Sequence, residues 1–277
     1  MAYESRIVTS ILRALLGIVT RRNSRFWSLL VFVTAGYLLF IISMLWATAT
    51  YSSPSDYFEA LNSREIQHSV FLSLLTCSLT ALLSLLLAVP IGYLLARKDF
   101  RGKALVESAL DIPIVLPPMV IGLCLLILFQ TRLGGLVDSV IPFTYTVFGV
   151  VLAQLVIGAA FAIRTMRGTF TQLSQRPEDV AMTLGCSRGS AMWRVALPAA
   201  GKGMVAAGSV AWARSLGEFG PVMVFAGSTR MKTEVLATTV WLELSVGELE
   251  AAVAVSLLMV FFAMVVLVAM RLAGERW

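Results

Sequence analysis

Six long apolar runs, separated by polar segments, dominate the hydrophobic pattern of the chain. They cover residues 26–48, 66–96, 104–129, 146–163, 204–226 and 251–272. A helix needs about 20 apolar residues to cross a bilayer, whereas a membrane barrel shows alternating segments of about ten. The pattern therefore predicts an all-α integral membrane protein with six transmembrane helices.

Two of the six runs contain residues that interrupt helices. The third run contains Pro113, Pro117 and Pro118, and the fifth contains Gly217, Gly220 and Pro221. Irregular backbone at membrane depth is tolerated where it lines a cavity or is buried by neighbouring helices. We therefore expect the third and fifth runs to border a substrate path.

Composition supports a membrane protein and gives no sign of catalysis. Of the 277 residues, 58% are hydrophobic and 14% are charged, whereas an ordinary soluble domain is about 25% charged. One histidine and three scattered cysteines exclude the usual catalytic triads and zinc sites. Neither Gly-Lys pair has the spacing of a phosphate-binding loop. We expect no enzymatic activity, cofactor or metal on this chain.

Basic residues predict the orientation. Most of the 22 Lys and Arg lie in the N-terminal segment, after the second run, between residues 164 and 202, and at the C-terminus. Since short cytoplasmic loops are enriched in Lys and Arg, both termini and these loops are expected in the cytoplasm. The predicted division is a basic cytoplasmic segment 1–25, a transmembrane domain 26–272 and a cytoplasmic C-terminus 273–277.

The long loop 164–202 carries its own helix signals. Pro177, Glu178 and Asp179 favour a helix start, since proline fits the first turn and carboxylates favour the positive end of the helix dipole. Gly185 can end that helix in a left-handed conformation. A second short helix over 188–196 then leads to Pro198. The pattern predicts a surface helix suited to docking a partner.

The same loop resembles the "EAA" loop of permease subunits of binding-protein-dependent ABC importers. That pattern is Glu-Ala-Ala, three residues, Gly, nine residues, Ile, any residue, Leu-Pro. Here Glu-Asp-Val-Ala-Met-Thr-Leu-Gly at 178–185 is followed nine residues later by Val-Ala-Leu-Pro, so two alanines and the isoleucine are replaced. The resemblance implies a type I ABC importer permease fold with a cytoplasmic coupling helix, and a loop that docks two ATPase subunits through Glu178, Asp179, Ala181, Leu184, Gly185, Val195, Leu197 and Pro198.

A second resemblance concerns the fifth run. Ser-Leu-Gly-Glu-Phe-Gly at 215–220, followed by Val-Phe-Ala-Gly at 224–227, is similar to the fifth span of molybdate, tungstate and sulfate permeases. Segments 90–96 and 114–118 are also similar, so the likeness runs from about Ser69 to the C-terminus. It implies a homodimer and an extracytoplasmic binding protein that delivers an oxyanion, with molybdate or tungstate favoured over sulfate, thiosulfate or another small anion.

Arg214 and Glu218 are ionisable residues one helical turn apart inside the fifth run. Such residues are costly in a membrane and mark functional sites by default. Either Arg214 is a cationic point on an anion path whose charge Glu218 moderates, or the two form an ion pair, with or without Asp111, that stabilises packing. The candidate path residues are Arg214, Gly217, Glu218, Phe219 and Gly220.

Two other classes of protein remain as alternatives. A secondary transporter would need no ATPase and should show inverted-repeat symmetry between its halves, and no such repeat is visible. A membrane enzyme would need an acid, a base or metal ligands, and the sequence offers no such set.

Overall fold

A computed structural model describes residues 24–51 and 61–275. The expected basic segment 1–25 falls almost wholly outside these residues, as do 276 and 277. The chain divides into two compact units, 1–53 and 54–277. Every regular element in the described residues is helical, so the predicted all-α class is confirmed for this part of the chain.

The first unit contains one described helix, α1 (Ser24–Ala49). Its apolar side chains face outward along its length; Phe32 is 76% exposed and Trp46 is 71% exposed. A helix that is apolar on all sides is stable in lipid or inside a larger assembly. From residue 26 to its end, α1 is long and apolar enough to cross a membrane.

The second unit contains the remaining helices. In chain order they are α2 (Arg64–Arg97), α3 (Lys103–Val115), α4 (Pro118–Gln130), α5 (Arg132–Val140), α6 (Val147–Gln172), α7 (Arg176–Thr183), α8 (Arg188–Ala191), α9 (Leu197–Ala199), α10 (Gly201–Leu216), α11 (Leu236–Val246) and α12 (Leu249–Glu275). Two π-helical segments, Met192–Ala196 and Val222–Ala226, complete the set.

Helices α2, α6 and α10 form the centre of the second unit. Contacts pair Thr80 with Gln154 and Gly92 with Met166, so α2 and α6 run parallel. Trp212 of α10 donates to the Ser78 hydroxyl of α2 over 3.3 Å, and Gly208 lies against Leu85. Helix α10 is therefore antiparallel to both. Consequently α2 and α6 end at the same end of the bundle, which we call the Arg97 end.

Small side chains let these three helices approach closely. A Cβ added at Gly158 of α6 would lie 3.2 Å from Ser215 Oγ and 3.3 Å from Ser84 Oγ, and one at Gly92 would lie 2.9 Å from Met166 Cβ. Ala88 and Ala211 are fully buried in the same core. Close packing through small residues is the usual way that membrane helices associate, because lipid offers no hydrophobic driving force between them.

The six predicted spans correspond to helices in only four cases. The residues described contain four helices long and apolar enough to cross a membrane, or five if a bent pair counts as one span. The third run is that pair, α3 and α4, bent by 110°. The fifth run is not one helix: α10 has 16 residues and is followed by a break. The short helices α5 and α11 were not predicted.

Candidate functional site

The bend between α3 and α4 has a local chemical cause. Leu116 and Pro117 adopt extended conformations, with ψ of 142° and 132°. Each precedes a proline, whose ring disfavours helical backbone in the residue before it, and neither proline has an N–H to donate. Pro113, by contrast, lies inside α3. Of the three predicted breakers, the adjacent pair Pro117 and Pro118 ends the helix.

A second break follows α10. The helix ends at Leu216, and Gly217 and Glu218 form a turn in which Glu218 N–H donates to the Ser215 carbonyl over 3.2 Å. Helical structure resumes at Gly220. It ends at Ala226, and the capping residue Gly227 has a φ of 71°, a conformation that favours glycine. Of the three predicted breakers, only Gly217 lies in the interruption, whereas Gly220 and Pro221 belong to the helical segment that follows it.

The two breaks pack directly against each other. A Cβ at Gly220 would lie 2.9 Å from Met119 N and 3.1 Å from Pro118 C, and a Cβ at Gly122 would lie 2.9 Å from Pro221 Cα. Only glycine permits backbone to approach backbone this closely. The interrupted parts of the third and fifth runs thus form one site, which we call the break contact.

Two charged residues flank the break contact. Arg214 Nη2 lies 2.9 Å from Glu218 Oε1; the Glu218 side chain is 1% exposed and that of Arg214 is 35% exposed. The Arg214 guanidinium also lies 5.7 Å from the centre of the Phe161 ring, within the range of a cation–π interaction. Among the described residues, Asp111 takes no part in the pair. The predicted Arg214–Glu218 ion pair is present.

The other predicted path residues lie around this pair. Gly217 is exposed, Phe219 is half-buried and Gly220 is buried. The Phe219 ring packs against Trp241 of α11, with 6.0 Å between ring centres. The candidate path residues therefore run from Arg214 in the last turn of α10, through Gly217, Glu218 and Phe219 in the break, to Gly220 at the start of the next helical segment.

The buried side-chain amide of Gln154 binds the end of α10. This residue was not identified from the sequence. Gln154 of α6 is 1% exposed. Its Nε2 donates to the Ser215 carbonyl over 3.2 Å, and its Oε1 accepts from Thr80 Oγ1 over 3.2 Å. Because an unpaired polar group is costly in a buried site, this network ties α2 and α6 to Ser215, in the last turn of α10.

The second predicted site is the loop at the Arg97 end. Helix α7 begins with Pro177 in its first turn, and Gly185 follows it with φ of +92°. Cys186 N–H donates to the Ala181 carbonyl and Gly185 N–H to the Met182 carbonyl, as in a glycine-terminated helix end. Ser187 then caps α8 by accepting from Ser190 N–H. The local predictions for this loop are met.

Glu178 occupies a different environment from the one expected for a docking residue. Its carboxylate points inward, and its side chain is only 8% exposed. Tyr93 Oη donates to Oε2 over 2.7 Å, while Arg97 Nε and Nη2 donate to Oε1 over 3.0 and 2.8 Å. Both carboxylate oxygens are thus occupied by α2.

The exposed surface of α7 is formed instead by residues that follow Glu178 in the chain. Val180 is 56% exposed, Leu184 is 81% exposed, and Asp179 is also exposed. The remaining predicted loop residues differ: Ala181, Val195 and Leu197 are half-buried, whereas Gly185 and Pro198 are exposed. On α7, a partner can therefore reach the apolar side chains of Val180 and Leu184 and the carboxylate of Asp179, whereas Glu178 is buried beneath them.

Comparison with known proteins identifies the family. The family model described as "Binding-protein-dependent transport system inner membrane component" matches residues 88–277. The chain belongs to this family. Both the loop at the Arg97 end and the break contact lie within the matched residues.

Relatives of this inner membrane component include oxyanion permeases. A molybdate/tungstate transport system permease protein of Pyrococcus abyssi is 42% identical over 154 residues, 56% of this chain. The matched part spans 58% of that relative's length. A probable molybdenum ABC transporter permease protein of Haloferax volcanii is 31% identical over 87% of this chain and 88% of its own. The sulfate transport system permease protein of Escherichia coli is 29% identical over 79% and 80%.

Solved structures support the fold of this inner membrane component. A bacterial alginate ABC transporter, crystallised in complex with an alginate pentasaccharide-bound periplasmic protein, aligns with a TM-score of 0.71. The alignment covers 91% of this chain and 94% of that one, at 13% identity. At this identity the likeness concerns the fold alone, and it establishes the fold of an ABC transporter chain.

Sequence reasoning missed Tyr93 and Arg97 as members of the site. Arg97 was counted only as a basic loop residue that indicates orientation. One signal was available, since Tyr93 lies in the segment 90–96 that resembles oxyanion permeases and Arg97 follows it directly. That segment's last turn is where α2 meets α7.

Proposed function

We propose that this chain is the membrane-spanning permease subunit of an ATP-driven importer of a small oxyanion, with molybdate or tungstate as the first candidates. The observation that carries the proposal is the break contact, where two interrupted spans meet next to Glu218, the partner of Arg214. Irregular backbone at membrane depth is expected where it lines a path. The names of the Pyrococcus and Haloferax relatives support molybdate and tungstate.

Sulfate is the second candidate substrate. The Escherichia coli relative is a sulfate permease at 29% identity, and sulfate has the same charge and tetrahedral shape as molybdate. Discrimination among these anions is expected to depend largely on the binding protein that delivers them.

The proposed assembly contains two copies of this chain, two ATPase subunits and an extracytoplasmic binding protein. The ATPases would dock on the exposed face of α7, around Asp179, Val180 and Leu184. In this arrangement the Arg97 end is cytoplasmic, both termini are cytoplasmic, and α10 with the following helical segment completes a sixth span. Alternating access would then be driven by ATP-dependent closure of the ATPases against α7.

Reconstitution in liposomes tests this function. The chain is co-purified with its ATPase and binding protein, and accumulation of molybdate, tungstate and sulfate is measured with and without ATP. We expect ATP-dependent uptake that requires all three components. Unlabelled tungstate should inhibit the uptake of molybdate, and molybdate that of tungstate. Uptake by this chain alone, driven by an ion gradient, would instead establish a secondary transporter.

Orientation has a separate test. Single-cysteine variants at Gly189, next to α7, and at Lys232, at the opposite end of the bundle, are treated in intact cells with a membrane-impermeant maleimide. We expect labelling at 232 and none at 189 until the membrane is opened. The reverse pattern would place the Arg97 end outside the cell.

A further inference from the structure

Arg97, the last residue of α2, joins three elements through one side chain. Its Nε and Nη2 donate to Glu178 of α7, and its Nη1 donates to the carbonyls of Phe170 and Leu173 over 2.7 and 3.1 Å. The side chain is 6% exposed. Four hydrogen bonds therefore connect the end of α2 with the start of α7 and the end of α6.

Each partner of Arg97 suits a guanidinium. The last carbonyls of a helix lack partners within the helix and favour a positive charge, and Phe170 and Leu173 lie at the end of α6. The Glu178 carboxylate accepts two of the planar N–H groups. Lysine has a single point charge on a flexible stem and cannot reproduce this fork. The geometry thus requires arginine specifically.

Tyr93 completes the arrangement from the preceding turn of α2. Its hydroxyl donates to the second oxygen of Glu178, and its ring packs edge-on against Phe170 with 5.4 Å between centres. We call Tyr93, Arg97 and Glu178, with the two carbonyls, the α2–α7 clamp. Because a buried charge without its partner is strongly unfavourable, the clamp holds α7 in one position relative to α2 and α6.

A second ion pair at the same end offers a contrast. Arg167 Nη2 lies 2.8 Å from Glu107 Oε1, but these side chains are 39% and 20% exposed. The pair joins α6 to α3 and has no carbonyl partners for the arginine among the described residues. Partly exposed pairs contribute little to stability. Arg167 is therefore a matched control for loss of an arginine at this end.

We propose that Arg97 is a positioning residue that makes α7 move as one body with the ends of α2 and α6. This proposal depends on the proposed function, in which an ATPase displaces α7. The displacement then passes directly into two of the three central helices of the bundle. The chain itself also connects α7 to α10 through Pro198, and that connection reaches only the third central helix.

The test separates coupling from assembly. Arg97→Gln, Arg97→Lys, Tyr93→Phe and the control Arg167→Gln are reconstituted with the ATPase and binding protein. ATP hydrolysis and anion uptake are measured together and expressed as anions transported per ATP. We expect that ratio to fall about tenfold in Arg97→Gln and Arg97→Lys, because charge-assisted hydrogen bonds are lost. Arg167→Gln should match the wild type, and Tyr93→Phe should fall between.

A distance measurement reports on the clamp directly. Spin labels at Leu184, beside α7, and at Arg101, beyond the end of α2, give a distance distribution by electron paramagnetic resonance. We expect it to broaden in the Arg97 variants and to stay narrow in Arg167→Gln.

The outcomes distinguish the two proposals. If wild-type liposomes show no ATP-dependent uptake, the proposed function is wrong. If they do, and Arg97→Gln keeps both the wild-type ratio and the narrow distribution, the positioning role of Arg97 alone is overturned. If Arg97→Gln fails to assemble, the Arg97→Lys and Tyr93→Phe variants test the positioning role instead. The same two measurements apply: anions transported per ATP and the width of the distance distribution.

Discussion

Gly220 lies so close to Met119 that a single added methyl group would reach 2.9 Å from the Met119 backbone nitrogen. The two residues belong to different interrupted spans. Each break is irregular on its own, and the two meet at Gly220, which is buried, although Pro118 and Met119 are exposed. An element that moves at either break must therefore move against the other.

Gly220→Ala is expected to disrupt the break contact. Alanine in a helical position normally gains about 0.5–1 kcal/mol over glycine, but here the neighbouring atoms are backbone and cannot rotate away. Overpacking of this kind costs about 1–3 kcal/mol, so we expect a lower thermal unfolding temperature and reduced uptake.

Gly168→Ala is the matched control, since a Cβ there meets nothing within 4 Å. It should be neutral or slightly stabilising. Equal unfolding temperatures and equal uptake for the two variants would show that the close approach of Gly220 to Met119 matters neither for stability nor for transport.

Arg214→Gln is expected to leave Glu218 buried without its counter-charge. Removing one partner of a fully buried pair costs about 3–5 kcal/mol; because Arg214 is partly exposed, a loss of about 2 kcal/mol is expected here. The double variant Arg214→Gln with Glu218→Gln should regain stability, as a thermal-shift double-mutant cycle would show.

Uptake decides between the two roles of Arg214. If it contacts the anion, the double variant regains stability and stays deficient in uptake. If the pair only stabilises packing, both properties recover together. Arg164→Gln is the control, because Arg164 is exposed and forms no ion pair with a described residue.

The positions of both breaks could be predicted from the sequence, but their contact could not. A missing N–H at Pro117 and Pro118 acts on its own helix, so the effect is local. The same residue type misleads elsewhere, because α2 continues through Pro90 to Arg97. That Gly220 meets Met119 depends on how helices distant in sequence pack, and no pattern of residue types specifies it.

The same limit applies at the Arg97 end. The start of α7 at Pro177 and its termination at Gly185 follow from neighbouring residues. The orientation of Glu178 depends on Arg97, which is 81 residues away. Sequence reasoning therefore located the helix and assigned its first carboxylate to a partner surface, whereas the structure directs that carboxylate into the chain.

Gly185→Ala is expected to strain the end of α7. The backbone φ is +92°, which costs other residues about 1–2 kcal/mol, although an added Cβ would meet nothing within 4 Å. We expect weaker co-purification of the ATPase and reduced ATP-coupled uptake, and a smaller loss for Gly185→Asn, since asparagine tolerates positive φ best. Gly189→Ala, with equal space and ordinary helical backbone, is the control. Indistinguishable results at 185 and 189 would contradict a role for the left-handed turn.

Glu234 gives a prediction about pH at the opposite end of the bundle. It lies in the loop before α11 and is fully buried, and neither oxygen accepts a well-aligned hydrogen bond from the described residues. Burial raises the pKa of this carboxyl; Thr239 and Arg230 oppose the rise, and Glu65 and Glu243 add to it. Arg230 itself pairs with Glu65 and Glu243.

A raised pKa means that the folded state holds the proton more tightly than the unfolded state. Stability should therefore fall as pH rises from about 4.3, the usual pKa of Glu, towards the raised value. Glu234→Gln should be more stable than the wild type at neutral pH, and the difference should vanish near pH 4. Thermal unfolding in detergent from pH 4 to 8 measures this, with exposed Glu250→Gln as the control. A Glu234→Gln variant that is less stable at neutral pH would show instead that the carboxylate is charged and held by Arg230.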